Sequence, residues 1–169
     1  MLVGILSIVA AAGVSLIDQL IKIWATAELL PVGSRPLIPH VVELHYLLND
    51  GMSFSMLSGK RELLITVTGV MLAVMAVMLV VGKMSFLERF AWILVLGGGL
   101  GNLVDRIRTG VVVDYINLLF IQFPVFNFAD ICICVGVGVL ILCILLDMRR
   151  EKNAAKQELA DDDEEHGAS

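Results

Sequence analysis

Four long apolar runs, Leu2–Ile17, Leu63–Val81, Phe90–Val104 and Ile131–Leu146, decide what this chain can become. A helix rises about 1.5 Å per residue, so about 20 residues cross a hydrocarbon core of about 30 Å. With their flanks, including the helix-compatible DQLIKIWA after the first run, all four are long enough, and spans are expected at residues 2–24, 62–82, 86–107 and 129–147. The first run has no Lys or Arg before it and continues into Asp18 and Lys22, which makes it a permanent span rather than a cleavable leader. Hydrophobic residues make up 58% of the chain, against roughly 45–50% apolar usage in soluble domains. The expected class is an all-α membrane protein of four transmembrane helices.

The connectors carry the remaining organisation. Ala25–Arg61 holds Pro31, Pro36 and Pro39, then the β-favouring VVELHYLL and the turn signature Asn49-Asp50-Gly51, so a small sheet-like platform at the membrane surface is expected. Thr109–Phe128 contains the strand-like VVVDYI, and Pro124 bars a continuous helix there. Gly82–Arg89 leaves room only for a tight turn. With four spans, both long connectors lie on one side of the membrane and the short turn and both termini on the other. Lys and Arg divide evenly between the sides until Lys22 and Arg106 are set aside as motif residues. The turn-and-tail side then leads, with Arg149, Arg150 and Lys152 clustered after the last span, which places the termini in the cytoplasm and the long connectors outside. After residue 150, seven acids (Glu151, Glu158 and Asp161–Glu165) stand against Lys152 and Lys156, and this balance accounts for the net charge of −5. Residues 1–150 thus read as a membrane-embedded domain and 151–169 as an acidic, disordered cytoplasmic tail.

Cys132, Cys134 and Cys143 fall in one apolar run without metal-ligand spacing and read as packing residues. His40 and His45 flank Glu43 in HVVELH, which is not the one-turn HExxH pair of a helical zinc site. No metal, cofactor or nucleic acid is expected.

Ionisable side chains near a membrane core are costly and face a bundle interior or a wet cavity, so each is a functional candidate. Asp18 and Lys22, four apart, share a helix face and read as a structural ion pair. Asp105 and Arg106 fit an interfacial anchor pair or a substrate contact equally well. GGGLGN (Gly97–Asn102) reads first as a close-packing surface. Asn102, at the end of that helix, is placed to orient a carboxylate or a peptide group. Asn127 is placed to do the same or to cap the fourth helix.

Asp114 and Asp130 resist a structural explanation. Asp114 sits in VVVDYI with no basic neighbour, Asp130 enters an apolar helix in FNFADICI, and the connector between them is short enough for them to meet. Two facing carboxylates in a partly dry site share one proton. The charged member can then take a proton from water as it attacks a scissile carbonyl, while the protonated member hydrogen-bonds the carbonyl oxygen. Asp114 and Asp130 are therefore the candidate catalytic residues of an aspartyl protease.

DQLIK (Asp18–Lys22), NDGMSFS (Asn49–Ser55), GGGLGNLVDR (Gly97–Arg106), VVDYI (Val112–Ile116) and FPVFNFAD (Phe123–Asp130) occur in the order and approximate spacing of bacterial lipoprotein signal peptidases, the signal peptidase II family, which this chain resembles. The resemblance covers residues 18 to 130. It implies four transmembrane helices with a small external β-cradle, residence in the bacterial plasma membrane among its lipids, and cleavage of lipid-modified prolipoproteins just before the diacylglyceryl cysteine. Family catalytic aspartates fall on Asp114 and Asp130; Asn49, Gly51, Asn102, Asp105, Arg106, Asn127 and Ala129 match positions around the site. In one departure, Met52 and Ser53 stand where the family commonly has two alanines, which bears on cradle shape and substrate fit.

Three other readings compete. Gly99-Leu100-Gly101-Asn102 approaches the GxGD motif of another aspartyl protease class but has Asn at the catalytic position. The GxSxG nucleophile motif is absent. A proton-coupled transporter would also use intramembrane carboxylates, but the four spans carry no evident internal repeat.

Overall fold

A backbone amide in lipid has no water to bond, so a spanning segment must satisfy its own N–H and C=O groups, and an α-helix does so. The computed structural model describes residues 2–51 and 59–167, with side chains as far as 154. It contains four long helices, α1 (Leu2–Leu29), α2 (Arg61–Val81), α3 (Phe86–Arg108) and α4 (Phe128–Gly167). All four are long and apolar enough to cross a membrane, α4 through its Phe128–Ala154 portion. Met52 and Ser53 lie outside the described residues.

The central helix is α3. Half of its spanning window is buried (50%), against 22%, 17% and 17% for α1, α2 and α4. It is also the least apolar of the four, as a helix largely hidden from lipid can be. Its glycines explain how three partners fit around it. A Cβ on Gly97 would stand 2.6 Å from Val14 Cβ of α1, one on Gly98 2.5 Å from the Ala129 carbonyl of α4, and one on Gly99 2.6 Å from the Leu72 side chain of α2. A Cβ on Gly101 would overlap the Asp18 carboxylate. Successive positions on one helix thus admit three different neighbours, with the backbones of α1 and α4 and the Leu72 side chain of α2 at contact distance, the close van der Waals packing on which helices in lipid rely.

Between α2 and α3, Ser85 caps α3: its hydroxyl accepts from Glu88 N (3.3 Å), and its own N–H donates to the Glu88 carboxylate (2.7 Å). Arg89 donates to the carbonyls of Leu79 (2.8 Å) and Gly82 (3.2 Å), satisfying the open end of α2.

Two helices run past their expected ends. α1 continues to Leu29 because Ala25 and Leu29, both fully buried, pack with Tyr115 beneath the sheet. The backbone of α4 stays helical through Gly167, since no Gly or Pro interrupts the sequence between Gly138 and Gly167.

The platform is a three-stranded antiparallel sheet in the order β1 (Ser34–Ile38), β2 (Val42–Asn49), β3 (Val112–Leu118). β2 and β3 are the two strand-like stretches of the sequence. β1 carries Pro36, tolerated because β1 is an edge strand. The register pairs Leu47 with Asp114 and Asn49 with Val112, which brings the end of the first connector against the start of the second.

Gly97→Leu should overpack the α1–α3 contact, at a cost of about 1–3 kcal/mol. The expected readout is a lower midpoint of thermal unfolding in detergent, while Gly138→Leu, at a glycine whose Cβ would meet nothing within 4 Å, should leave it nearly unchanged.

Candidate active site

The end of α3, the start of α4 and strands β2 and β3 converge at one place. Asp114 on β3 is 2% exposed; one carboxylate oxygen accepts Asn49 Nδ2 (2.9 Å) and the other Asn127 Nδ2 (2.7 Å). Asp130, in the first turn of α4, accepts Asn102 Nδ2 (2.8 Å) and the backbone N–H of Asn127 (3.1 Å). The Asp130 N–H returns a hydrogen bond to Asn127 Oδ1 (3.1 Å), so Asn127 and Asp130 cap α4 reciprocally. Asn127, fully buried, therefore caps the helix and joins the two aspartates at once.

A second polar layer lies below. Lys22 Nζ stands 2.8 Å from Asp18 and 2.8 Å from Asp105 and donates to Asn102 Oδ1 at 2.8 Å, so one ammonium serves two carboxylates and an amide oxygen. Asn102 Oδ1 also accepts Asn127 Nδ2 (3.1 Å). With two donors on its oxygen, the Asn102 amide can turn only its NH₂ toward Asp130. Lys22 thus fixes an orientation at Asp130 while pairing with Asp18. Asp18 in turn accepts the Ala129 N–H (3.1 Å), an orphan donor of the first turn of α4.

Asp105 and Arg106 part company. Asp105 turns to Lys22 and to Gln19 Nε2 (2.8 Å), away from the cleft, while Arg106 lines the cleft and donates to the Gly51 carbonyl (2.7 Å). Gly51 N–H donates to Asn49 Oδ1 (3.0 Å), so Arg106 holds the turn that aims Asn49 at Asp114. Gln19 and Tyr115 are additions to the residues singled out from sequence. Gln19 also donates to the Gly101 carbonyl (3.1 Å), and the Tyr115 hydroxyl accepts the Phe128 N–H (3.1 Å). Gln19 had one signal, a third polar side chain beside Asp18 and Lys22 at an otherwise apolar helix end.

The aspartates open on a cleft of about 410 Å³. Asn49, Asn102, Arg106, Asp114 and Asp130 supply its polar wall; Val112, Leu118, Phe126, Ile131 and Val135 are among its apolar lining. Ala129 and Asp105 do not reach it. Burial pushes the Asp114 carboxyl up from 3.8 to about 6 against the hydrogen bond from Asn49, and the Asp130 charge pushes the same way. Burial likewise drives the Tyr115 hydroxyl far above its usual range, so it stays neutral.

Residues 10–146 match the family model described as signal peptidase (SPase) II. The chain belongs to the signal peptidase II family. A lipoprotein signal peptidase of Caldanaerobacter subterraneus subsp. tengcongensis is 40% identical over 136 residues, covering 80% of this chain and 92% of the relative. One from Streptococcus pyogenes serotype M5 is 33% identical over 129 residues, covering 76% and 85%. Two solved structures described as a bacterial membrane enzyme, each 32% identical, superpose with TM-scores of 0.77 and 0.72; the first match covers 84% of this chain and 88% of the other, the second 82% and 92%. Signal peptidase II enzymes are aspartic-type peptidases, and the described cleft presents one joined pair of aspartates.

The geometry ranks substitutions in the lower layer. Lys22→Met strands two carboxylates and leaves the Asn102 oxygen with Asn127 as its one donor, whereas Asp105→Asn leaves the Lys22–Asp18 pair intact. Breaking a buried ion pair costs about 3–5 kcal/mol. Lys22→Met should therefore lower folded yield and thermal stability more than Asp105→Asn. Combining it with Asp18→Asn should recover only part of the loss, because Asp105 stays unpaired. Equal stability of the Lys22→Met and Asp105→Asn proteins would contradict this arrangement.

Proposed function

We propose that this enzyme removes signal peptides from prolipoproteins by hydrolysis just before a diacylglyceryl-modified cysteine, with Asp114 and Asp130 as the catalytic pair. The observation that carries the reading is the Asn127 side chain, which hydrogen-bonds Asp114 while its backbone N–H bonds Asp130, in a cleft both aspartates line. The apolar lining beside those carboxylates suits a substrate with acyl chains next to the scissile bond. Cleavage of a lipidated prolipoprotein but not of its unlipidated twin is the expected result; equal cleavage of both would remove the lipid from recognition.

The surroundings divide the labour. Asp130 accepts two N–H donors at the N-terminus of α4, where the helix dipole favours negative charge, and is assigned as the base. Asp114, more deeply buried and raised to about 6, is assigned the shared proton. Asp130 takes a proton from water as the water oxygen attacks the scissile carbonyl carbon, and Asp114 passes its proton to the carbonyl oxygen, giving a neutral gem-diol. Collapse returns one hydroxyl proton to Asp114; the leaving nitrogen receives the proton held by Asp130, and the C–N bond breaks. Asn49, Asn102 and Asn127 keep the carboxylates in place throughout.

We further assign the cleft to the external face and both termini to the cytoplasm. Residues 1–150 hold the whole peptidase, and residues 151–169 form a tail remote from the cleft. Truncation before Asn153 should leave cleavage of a lipidated prolipoprotein within about twofold of the full chain, since the tail has no apolar periodicity with which to pack. Complete loss of activity in a normally inserted truncation would contradict this.

Positioned acid–base groups contribute about 10²–10⁴-fold, so Asp114→Asn or Asp130→Asn should each lower turnover of a lipidated prolipoprotein by about that much or more. The double substitution should be scarcely worse than either single one, because the pair acts as one unit. Binding of uncleaved substrate should survive. The pH profile of kcat/KM should be bell-shaped, with limits belonging to the pair. Activity falls as rising pH strips the proton carried by Asp114, near 6 in the free enzyme, and falls again as acid protonates both carboxyls. Near-normal turnover in either folded single variant would remove that aspartate from the chemistry.

A further inference from the structure

We infer that the far end of the sheet, formed by the β1–β2 turn and the loop after β3, is seated in the membrane leaflet on the site's side. The turn presents Leu37, Ile38 and Val41, which are 59%, 51% and 40% exposed. The loop presents Leu119, Phe120 and Ile121, at 47%, 61% and 49%. Backbone bonds hold the two groups together: Val42 pairs with Leu118 in the ladder, and Leu119 N donates to the Val41 carbonyl (2.9 Å). The turn itself is tight, with Val41 N bonded to the Ile38 carbonyl (3.0 Å) and His40 in the left-handed region at φ 62°.

Exposed turns ordinarily carry Gly, Asn, Asp and Ser. LIPHVV and LFI contain no Asp, Glu, Lys or Arg at all. Exposed apolar clusters of this kind mark a surface that something covers. Lipid is the occupant because exposed apolar residues lead from a membrane span to the base of β1, with Arg35 the one charged residue in the chain between them and the tip. Leu16, Leu20 and Ile23 form an outward stripe on α1, and Leu30 and Val32 extend it between the end of α1 and β1 at 58% and 63% exposure. Trp24, 46% exposed near the same end of α1, is the kind of residue that sits at the membrane–water boundary. The cluster is also divided between two loops. Fluid acyl chains accommodate such a surface, whereas a second copy would need a complementary one.

Seating this end constrains the site from a distance. β3 carries Asp114 near its start and ends at the seated tip, so the leaflet sets the tilt of the strand that presents one of the two carboxylates.

The test places a single tryptophan at the tip: Phe120→Trp in a chain with Trp24→Phe and Trp92→Phe, reconstituted in phosphatidylcholine vesicles with or without bromine on the upper acyl chain. Apolar side chains at an interface reach about 5–10 Å into the headgroup and acyl boundary, so bromine should lower emission about twofold or more, with aqueous acrylamide quenching only weakly. Emission indifferent to bromine and freely quenched by acrylamide would put the tip in water and overturn the inference. Emission shielded from acrylamide, indifferent to bromine and dependent on the protein-to-lipid ratio would put a second copy on the tip and overturn it equally. Ile38→Trp, on the other loop, gives the same readout if the Phe120 variant does not fold.

Discussion

One ammonium group holds this structure in register. Lys22 Nζ is 2.8 Å from each of Asp18, Asp105 and Asn102, and the residue is 3% exposed. A cation so placed in a membrane protein is tolerable only with complete compensation, and two carboxylates with an amide oxygen provide it. The arrangement ties α1 to α3, and Asp18 extends it to α4 through the Ala129 N–H. Gly101 makes it sterically possible, since any side chain there would meet the Asp18 carboxylate. The charges and the glycines of α3 are thus one device: close approach brings the ions into contact, and the ions fix the depth at which the helices meet.

From that layer upward, orientation passes through amides. Asn102 receives Lys22 and gives to Asp130; Asn127 gives to Asp114 and to Asn102 and caps α4; Asn49 gives to Asp114 and is steadied by Gly51. Asparagine suits this role because its two ends differ: once the oxygen is engaged, the NH₂ has a single direction left. The two aspartates share a cleft but differ in setting, one on a buried strand and one at a helix N-terminus, which is the difference an acid–base pair requires.

Much of the fold was legible in sequence because lipid imposes simple lengths. The four spans, the tight turn and the strands around VVELHYLL and VVVDYI follow from apolar length and β-favouring residues. Less legible were features set by tertiary contact. α1 runs on to Leu29 because Ala25 and Leu29 meet Tyr115, a contact between residues far apart in the chain. β1 exists as the edge partner of β2, although its own residues, SRPLI, do not read as a strand. At the site, the connector's length allowed Asp114 and Asp130 to meet, and they line one cleft. The separation of Asp105 from Arg106 was hidden, because adjacent residues on a helix point about 100° apart and sequence does not say which meets which neighbour. Gln19 escaped notice for a related reason: a neutral side chain beside two charged ones looks incidental until its partners on α3 are known.

The division of the aspartates among elements has a consequence for how the protein is made. Asp114 lies on a strand that pairs with a segment preceding α2, and Asp130 belongs to the last helix to emerge during synthesis. Asn127, which joins them, takes its place only when the first turn of that helix forms. A nascent chain lacking its fourth span therefore holds one carboxylate without its companion and without the amide that aims it. On the proposed assignment of the pair, a polypeptide caught before its fourth span inserts is latent by construction, because the site is completed by that span and not by the three before it.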